Sequence, residues 1–426
     1  MTSTRTAGDH SDGRRRVVIT GLGAVTNIGT DVDSFWNSLL QGRSGVCPIT
    51  AFEQNEQWLT TIAGEIQDFD ATDLVPKSEH KKMDRCAVLG MHSAMQAAAD
   101  CGLDFNEGDP YRQGVVYGSG IGGIITIEMG HLKILDKGPQ RLSPFTVPKL
   151  MANATAGHIS IALNLKGFNS SVTTACASGG HSIAEAFLTI QRGAADVMVT
   201  GGTEAAVSSL CIASFSAMKA LSTRNEDPEA ASRPFDRDRD GFVLSEGGAA
   251  MVLEDLEHAM QRGADIHGEI LGFGITGDAY HIAAPDPEGR GARVAMEFAL
   301  QDSRLNPEQI DYINAHGTST PLGDAAEVQA VKEFFGGHAY ELAMSSTKSM
   351  TGHALGAAGG IESIAVIKSI QEGVMPPTIN LDNPDEGFDL NFVANEPQER
   401  PVKIALNNSF GFGGHNVSLA FAAFDG

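Results

Sequence analysis

Thr173-Thr-Ala-Cys-Ala-Ser-Gly-Gly-His181 leads into a helical stretch ending at Arg192, and Asp196-Val-Met-Val-Thr-Gly-Gly202 follows as a buried strand. Ile183, Ala186, Phe187 and Ile190 recur at helical spacing, and Gly193 is a C-terminal stop. The same order returns later. Thr347-Lys-Ser-Met-Thr-Gly-His353 precedes a helix through Ile370, and a strand ending at Gly413-Gly414 comes after a connection. Each strand is expected to stop at its glycine pair, Gly201-Gly202 or Gly413-Gly414. Two matched halves with polar residues in equivalent loops put a site between them. The division falls near residue 260, giving halves 16–260 and 261–426 behind a disordered tail, 1–15.

Working outward, Arg16-Val-Val-Ile-Thr-Gly-Leu-Gly23, Gly114-Val-Val-Tyr-Gly-Ser-Gly120, Ile310-Asp-Tyr-Ile-Asn-Ala-His-Gly317 and Val402-Lys-Ile-Ala-Leu-Asn-Asn-Ser409 also read as buried strands running into turns. Ala87 to Asp100 and Gly291 to Gln301 read as helices between them. Strands alternating with helices indicate an α/β protein whose central strands are covered on both faces.

The bulk composition narrows the function. With 53 acidic and 30 basic residues the formal net charge is -23, which opposes nucleic-acid binding. The one dense basic run, Arg14-Arg15-Arg16, adjoins a polar leader with no apolar core of a secretory signal. Five cysteines without a CxxC pair argue against a disulfide framework or a cysteine zinc site. No apolar run approaches a membrane span, so the expected compartment is the cytoplasm.

Cys176 stands just ahead of a helix start, where the helix dipole and free N–H groups favour a thiolate. On this segment alone Cys176 is either a nucleophile or a buried structural cysteine. His316, in His-Gly-Thr-Ser-Thr320, and His353, in Lys348-Ser-Met-Thr-Gly-His-Ala-Leu-Gly356, also sit in strand-to-helix turns. Neutral imidazoles can donate hydrogen bonds to a developing enolate and move protons. A cysteine and two such histidines form a constellation. Two other patterns fail. Gly118, Gly120 and Gly123 match G-x-G-x-x-G, but no acidic residue closes a second strand as a dinucleotide site requires. Asp236, Asp238 and Asp240 mimic a calcium loop whose bidentate Glu would fall on Gly247.

These segments, with Asn408-Ser-Phe-Gly-Phe-Gly-Gly-His-Asn416, Arg233-Pro-Phe-Asp236 and Arg239-Asp-Gly-Phe-Val243, resemble the β-ketoacyl-ACP synthases, in particular the elongating, two-histidine synthase II type. The resemblance spans roughly Arg16 to Ala423. It implies a thiolase fold with a layered αβαβα body, and decarboxylative Claisen condensation of acyl-ACP with malonyl-ACP in fatty acid elongation. By resemblance Cys176 accepts the acyl chain, His316 and His353 drive decarboxylation, Lys348 supports the site and Glu362 holds the network. The N–H groups of Cys176 and Phe412 form an oxyanion hole, and Thr318 and Thr320 bind the pantetheine arm. Ile121 lies at the bottom of the acyl pocket, Phe215 and Phe412 act as gates, and Lys81, Lys82 and Lys219 dock the carrier protein. His415 and Ala177 depart from residues common in the family.

The resemblance implies a homodimer with no metal and no cofactor of its own, the phosphopantetheine arriving on the carrier protein. Nucleic acid and membrane are not expected partners. Two rivals keep the fold: the ketosynthase subunit of an aromatic polyketide synthase, and a non-catalytic carrier-binding partner that sets chain length. A thiolase would need a second late cysteine, and none follows Cys211.

Overall fold

The structure is a computed structural model and describes residues 13–425. Its body is a ten-stranded sheet. In chain order the strands are β1 (Val17–Val25), β2 (Gln113–Gly118), β3 (Asn169–Ser170), β4 (Val197–Ala205) and β5 (Glu246–Asp255). After these come β6 (Gly268–Gly277), β7 (Tyr312–Asn314), β8 (Ala343–Ser345), β9 (Ile404–Gly411) and β10 (His415–Ala422).

β1 and β6 pair antiparallel at the centre, with Val17 opposite Ile270. Outward from β1 come β5, β4, β2 and β3; outward from β6 come β10, β9, β7 and β8. Directions repeat as well. The two inner pairings on each side are antiparallel and the two outer ones parallel. β1, β4 and β5 are buried at every residue. Strands covered on both faces need no polar alternation, so they read as continuous small and apolar runs.

Helices supply the covers. They are α1 (Arg85–Asp100), α2 (Ile124–Lys137), α3 (Ser178–Gln191), α4 (Ser209–Ala217), α5 (Arg290–Ser303), α6 (Pro321–Phe335) and α7 (Ala358–Glu372). α1 packs on β1, β5 and β4, and α5 on β6 and β10. α3 and α7 pack on each other and on strands of both halves. The layers therefore run helix, sheet, helix pair, sheet, helix, the αβαβα order expected. The sequence reading did not foresee that the two sheet halves join edge to edge through β1 and β6.

Glycines let the central helices meet. A Cβ on Gly179 would lie 2.9 Å from the Gly356 carbonyl oxygen, and one on Gly359 only 2.6 Å from the Gly180 nitrogen. Here β4 departs from expectation, for it does not stop at Gly201-Gly202 but continues to Ala205. Gly202 is a contact surface inside the strand, since a Cβ there would sit 2.3 Å from the Gly356 oxygen. Gly202→Ala is expected to destabilise the fold by about 1–3 kcal/mol through backbone overpacking, read as a lowered melting temperature. Gly413-Gly414, by contrast, forms the turn between β9 and β10 at positive φ, as its position implied.

The expected N-terminal tail lies mostly outside the described residues. Within them Arg14 pairs with Asp302, Arg15 with Asp196 and Asp255, and Arg16 with Glu269.

Candidate active site

Cys176 occupies a short 3-10 turn, Ala175–Ala177, directly before α3. Ala175 holds φ at 50°, a left-handed conformation that costs a non-glycine residue energy and often marks functional turns. Leu355 repeats it before α7, at 45°. The two halves thus build the same strained elbow, and only the first carries a cysteine.

His316 follows β7 directly. His353 follows β8 after one helical turn, Lys348–Thr351. β7 and β8 are parallel neighbours, so both rings emerge at carboxyl ends of strands, where open α/β sheets place their ligands. A nitrogen of each ring and the Cys176 sulfur lie within 4.8 Å of one another. The rings meet edge to face, 5.3 Å between centroids.

The three open onto a cavity of about 480 Å³ that is also lined by Thr318, Thr320 and Phe412. The two threonine hydroxyls are 3.0 Å apart. Lys219 lines the cavity too and is solvent-exposed. Ile121 and Phe215 do not line it. They pack beside it in an apolar cluster with Cys176, Leu355 and Phe242, and the Phe215 ring stands 6.4 Å from that of Phe412. Lys81 and Lys82 lie off the cavity, with Lys82 held by Glu79 at 2.8 Å.

Burial dominates the electrostatics. It pushes the Cys176 thiol up to about 12. The N–H groups of Phe412 and of Cys176 itself, together with the Lys348 charge, pull the other way and lose. The expectation of a resting thiolate therefore fails: a helix start is worth less than full desolvation here. Burial and then the Lys348 charge hold both imidazoles well below the usual histidine range. Both are neutral at pH 7, and both Nδ1 atoms are buried without a hydrogen-bond partner among the described residues. Lys348, 1% exposed, pairs with Glu362, whose carboxyl burial raises to about 7 against the pull of Lys348.

Sequence reading missed Glu327. From α6 it accepts the His316 N–H at 2.9 Å, the Gly317 N–H at 2.8 Å and Asn408 Nδ2 at 3.2 Å. It fixes the loop that presents His316. The signal was present: Asp324 and Glu327 share the helical stripe of Val328, Val331 and Phe335, and acids on a core-facing stripe need a polar task. The calcium-like loop has a structural role. Asp236 is fully buried and accepts from Arg233 and from the N–H groups of Asp238, Asp382 and Asn383.

Two halves of one family's sequence pattern match this chain. "Beta-ketoacyl synthase, N-terminal domain" covers residues 14–259, and "Beta-ketoacyl synthase, C-terminal domain" covers 267–382. The chain belongs to the β-ketoacyl synthase family. This ketosynthase is 50% identical to a 3-oxoacyl-[acyl-carrier-protein] synthase 2 of Synechocystis over 96% of its length and 99% of the relative. It is also 50% identical to the protein of that name from Coxiella burnetii, over the same shares. A solved structure of a type II polyketide synthase acyl-carrier protein with its ketosynthase superposes with a TM-score of 0.90, at 34% identity over 97% of this chain and 100% of that one. The thiolase-like layering is therefore that of a ketosynthase, and the enzyme is an acyltransferase.

Proposed function

We propose that this ketosynthase condenses acyl-ACP with malonyl-ACP in fatty acid elongation, with Cys176 carrying the acyl chain. The observation that carries the reading is the meeting of one sulfur and two neutral imidazoles within 4.8 Å on one cavity. A buried thiol is a poor nucleophile until its proton leaves, and a neutral ring beside it can take that proton. The acyl carbonyl oxygen then faces the N–H groups of Cys176 and Phe412, the two backbone donors that pull the thiol down. Acyl transfer to sulfur releases the carrier thiol, which takes up a proton. Malonyl thioester next loses CO2, and the resulting enolate oxygen accepts hydrogen bonds from His316 and His353. Its carbon attacks the Cys176 thioester, the C–S bond breaks, β-ketoacyl thioester leaves, and the freed Cys176 thiolate takes up a proton to restore the resting thiol. Lys348 and Glu362 set the electrostatics, and Thr318 and Thr320 hold the pantetheine arm that the carrier brings.

A cysteine and two histidines are also a zinc-type donor set. The Lys348 charge that depresses both imidazoles opposes a second cation there, so the reaction is assigned without a metal. A second copy of the chain completes the pocket. α2 begins beside Ile121 yet leaves Met129 60%, Leu132 53% and Leu135 71% exposed, a stripe that a homodimer would cover. Lys219 on the cavity gives an acidic carrier protein a local positive contact; Lys81 and Lys82 extend the docking face. Among the described residues no helix is long and apolar enough to cross a membrane, and the cytoplasm is the proposed compartment.

The structural likeness to a polyketide ketosynthase favours a second reading, a subunit of such a synthase. Acyl-ACP and malonyl-ACP supplied to the purified protein alone decide between them. Under the first reading β-ketoacyl-ACP forms without another subunit; product only after adding a related cysteine-free chain overturns it.

A further inference from the structure

Glu204 is 0% exposed and lies at the inner end of β4, beneath the Cys176 turn. One oxygen accepts the Ser119 hydroxyl at 2.9 Å and the Ile121 N–H at 3.2 Å. The other accepts the Gly120 N–H at 2.7 Å and the Gly356 N–H at 3.1 Å. The donors come from both halves. Ser119, Gly120 and Ile121 form the loop after β2, and Gly356 follows Leu355 in the elbow before α7. A Cβ on Gly120 would lie 2.7 Å from the Glu204 carboxylate and 3.2 Å from the Ala175 carbonyl oxygen. The loop therefore rests on both the carboxylate and the nucleophile turn. Ile121, Leu355 and Cys176 share one apolar cluster, and Glu204 accepts the backbone N–H of Ile121 and that of Gly356, the residue after Leu355.

We propose that Glu204 is a positioning residue that sets acyl chain selectivity, by holding Ile121 and Leu355 at fixed places around Cys176. The inference rests on the reading of Cys176 as the acyl carrier. A carboxylate suits the task because its two oxygens can accept all four donors at once, and buried N–H groups left without acceptors are costly. Gln offers one carbonyl oxygen, so with its amide oxygen toward Gly120 and Gly356 the NH2 group confronts the Ile121 N–H. Glu204→Gln thus loosens the Ile121 side of the apolar cluster packed against Cys176 and leaves the Gly356 N–H beside Leu355 bonded.

The experiment measures acyl transfer to Cys176 by intact mass, across acyl-ACP probes from six to eighteen carbons, for wild type, Glu204→Gln and Ser119→Ala. Melting temperatures are recorded alongside. Glu204→Gln is expected to flatten the chain-length profile, reducing the preference for the best chain over one about four carbons longer by about tenfold. Ser119→Ala, which keeps the carboxylate and removes one donor, is expected to shift the profile the same way and less, and it carries the test if Glu204→Gln does not fold. An unchanged profile, or a uniform loss at every chain length, overturns the proposal, because a merely structural role lowers all rates together. Wild type forming no adduct on Cys176 overturns the acyl-carrier reading itself, and this inference with it.

Discussion

Cys176→Ala is expected to abolish the acyl adduct and to lower condensation on the order of 10^4-fold, while decarboxylation of malonyl-ACP persists. The two reactions share a cavity and differ in what they ask of it. Condensation needs a sulfur to hold the first acyl group. Decarboxylation needs only the enolate oxygen to find its donors, and His316 and His353 stay in place, held through the Glu327 contacts and the packing of β7 and β8. His353→Ala should therefore lose both reactions, by about 10^2- to 10^4-fold in decarboxylation. Carbon dioxide release and β-ketoacyl product, measured separately on the same two variants, check the division. If Cys176→Ala loses both reactions in parallel, the separation of roles is wrong.

The second large effect falls on Lys348. Lys348→Ala strands the Glu362 carboxyl in a buried site, and removing one partner of such a pair costs about 3–5 kcal/mol. Glu362 already lies near 7 through burial, with Lys348 pulling it down. Without Lys348 its folded-state value rises further above its unfolded value. A raised carboxyl contributes its stability fully below the unfolded value and loses it as pH rises through the folded one. The variant is therefore expected to melt closest to wild type near pH 5 and furthest below it near pH 8. Activity moves as well. Lys348 helps hold both imidazoles neutral, so its loss lets them regain protons at higher pH. Wild type should keep its rate as pH falls from 7.5 to 6, whereas Lys348→Met should lose rate over that interval. A variant whose melting temperature and pH–rate profile both match wild type would show that the charge at 348 does not govern the site.

Much of the site was legible because its chemistry is local. Cys176 announced itself by glycines and a helix start, and His316 and His353 by their strand-to-helix turns. Glu327 was harder to read, since an acid eleven residues from His316 shows its purpose only when α6 folds back against the loop. The protonation of Cys176 was misread for a related reason. The helix start is a local feature, but desolvation is the sum of everything packed around the sulfur, including residues from the other half of the chain. Gly202 shows the same limit in the fold. It resembles a strand end, yet its missing side chain serves the Gly356 carbonyl across the central helix pair.

By itself the sequence determined the alternation of strands and helices, the internal repeat and the polar groups that stand in the strand-to-helix turns, because periodicity, turn residues and functional groups are written residue by residue. Tertiary structure alone decided that the sheet halves join through β1 and β6. It also decided that a sulfur and two imidazoles share one cavity, that all three rest uncharged, and that Glu204 ties both halves together beneath them. Those outcomes depend on distances and on the exclusion of water, and both arise only when segments far apart in the chain are packed against each other.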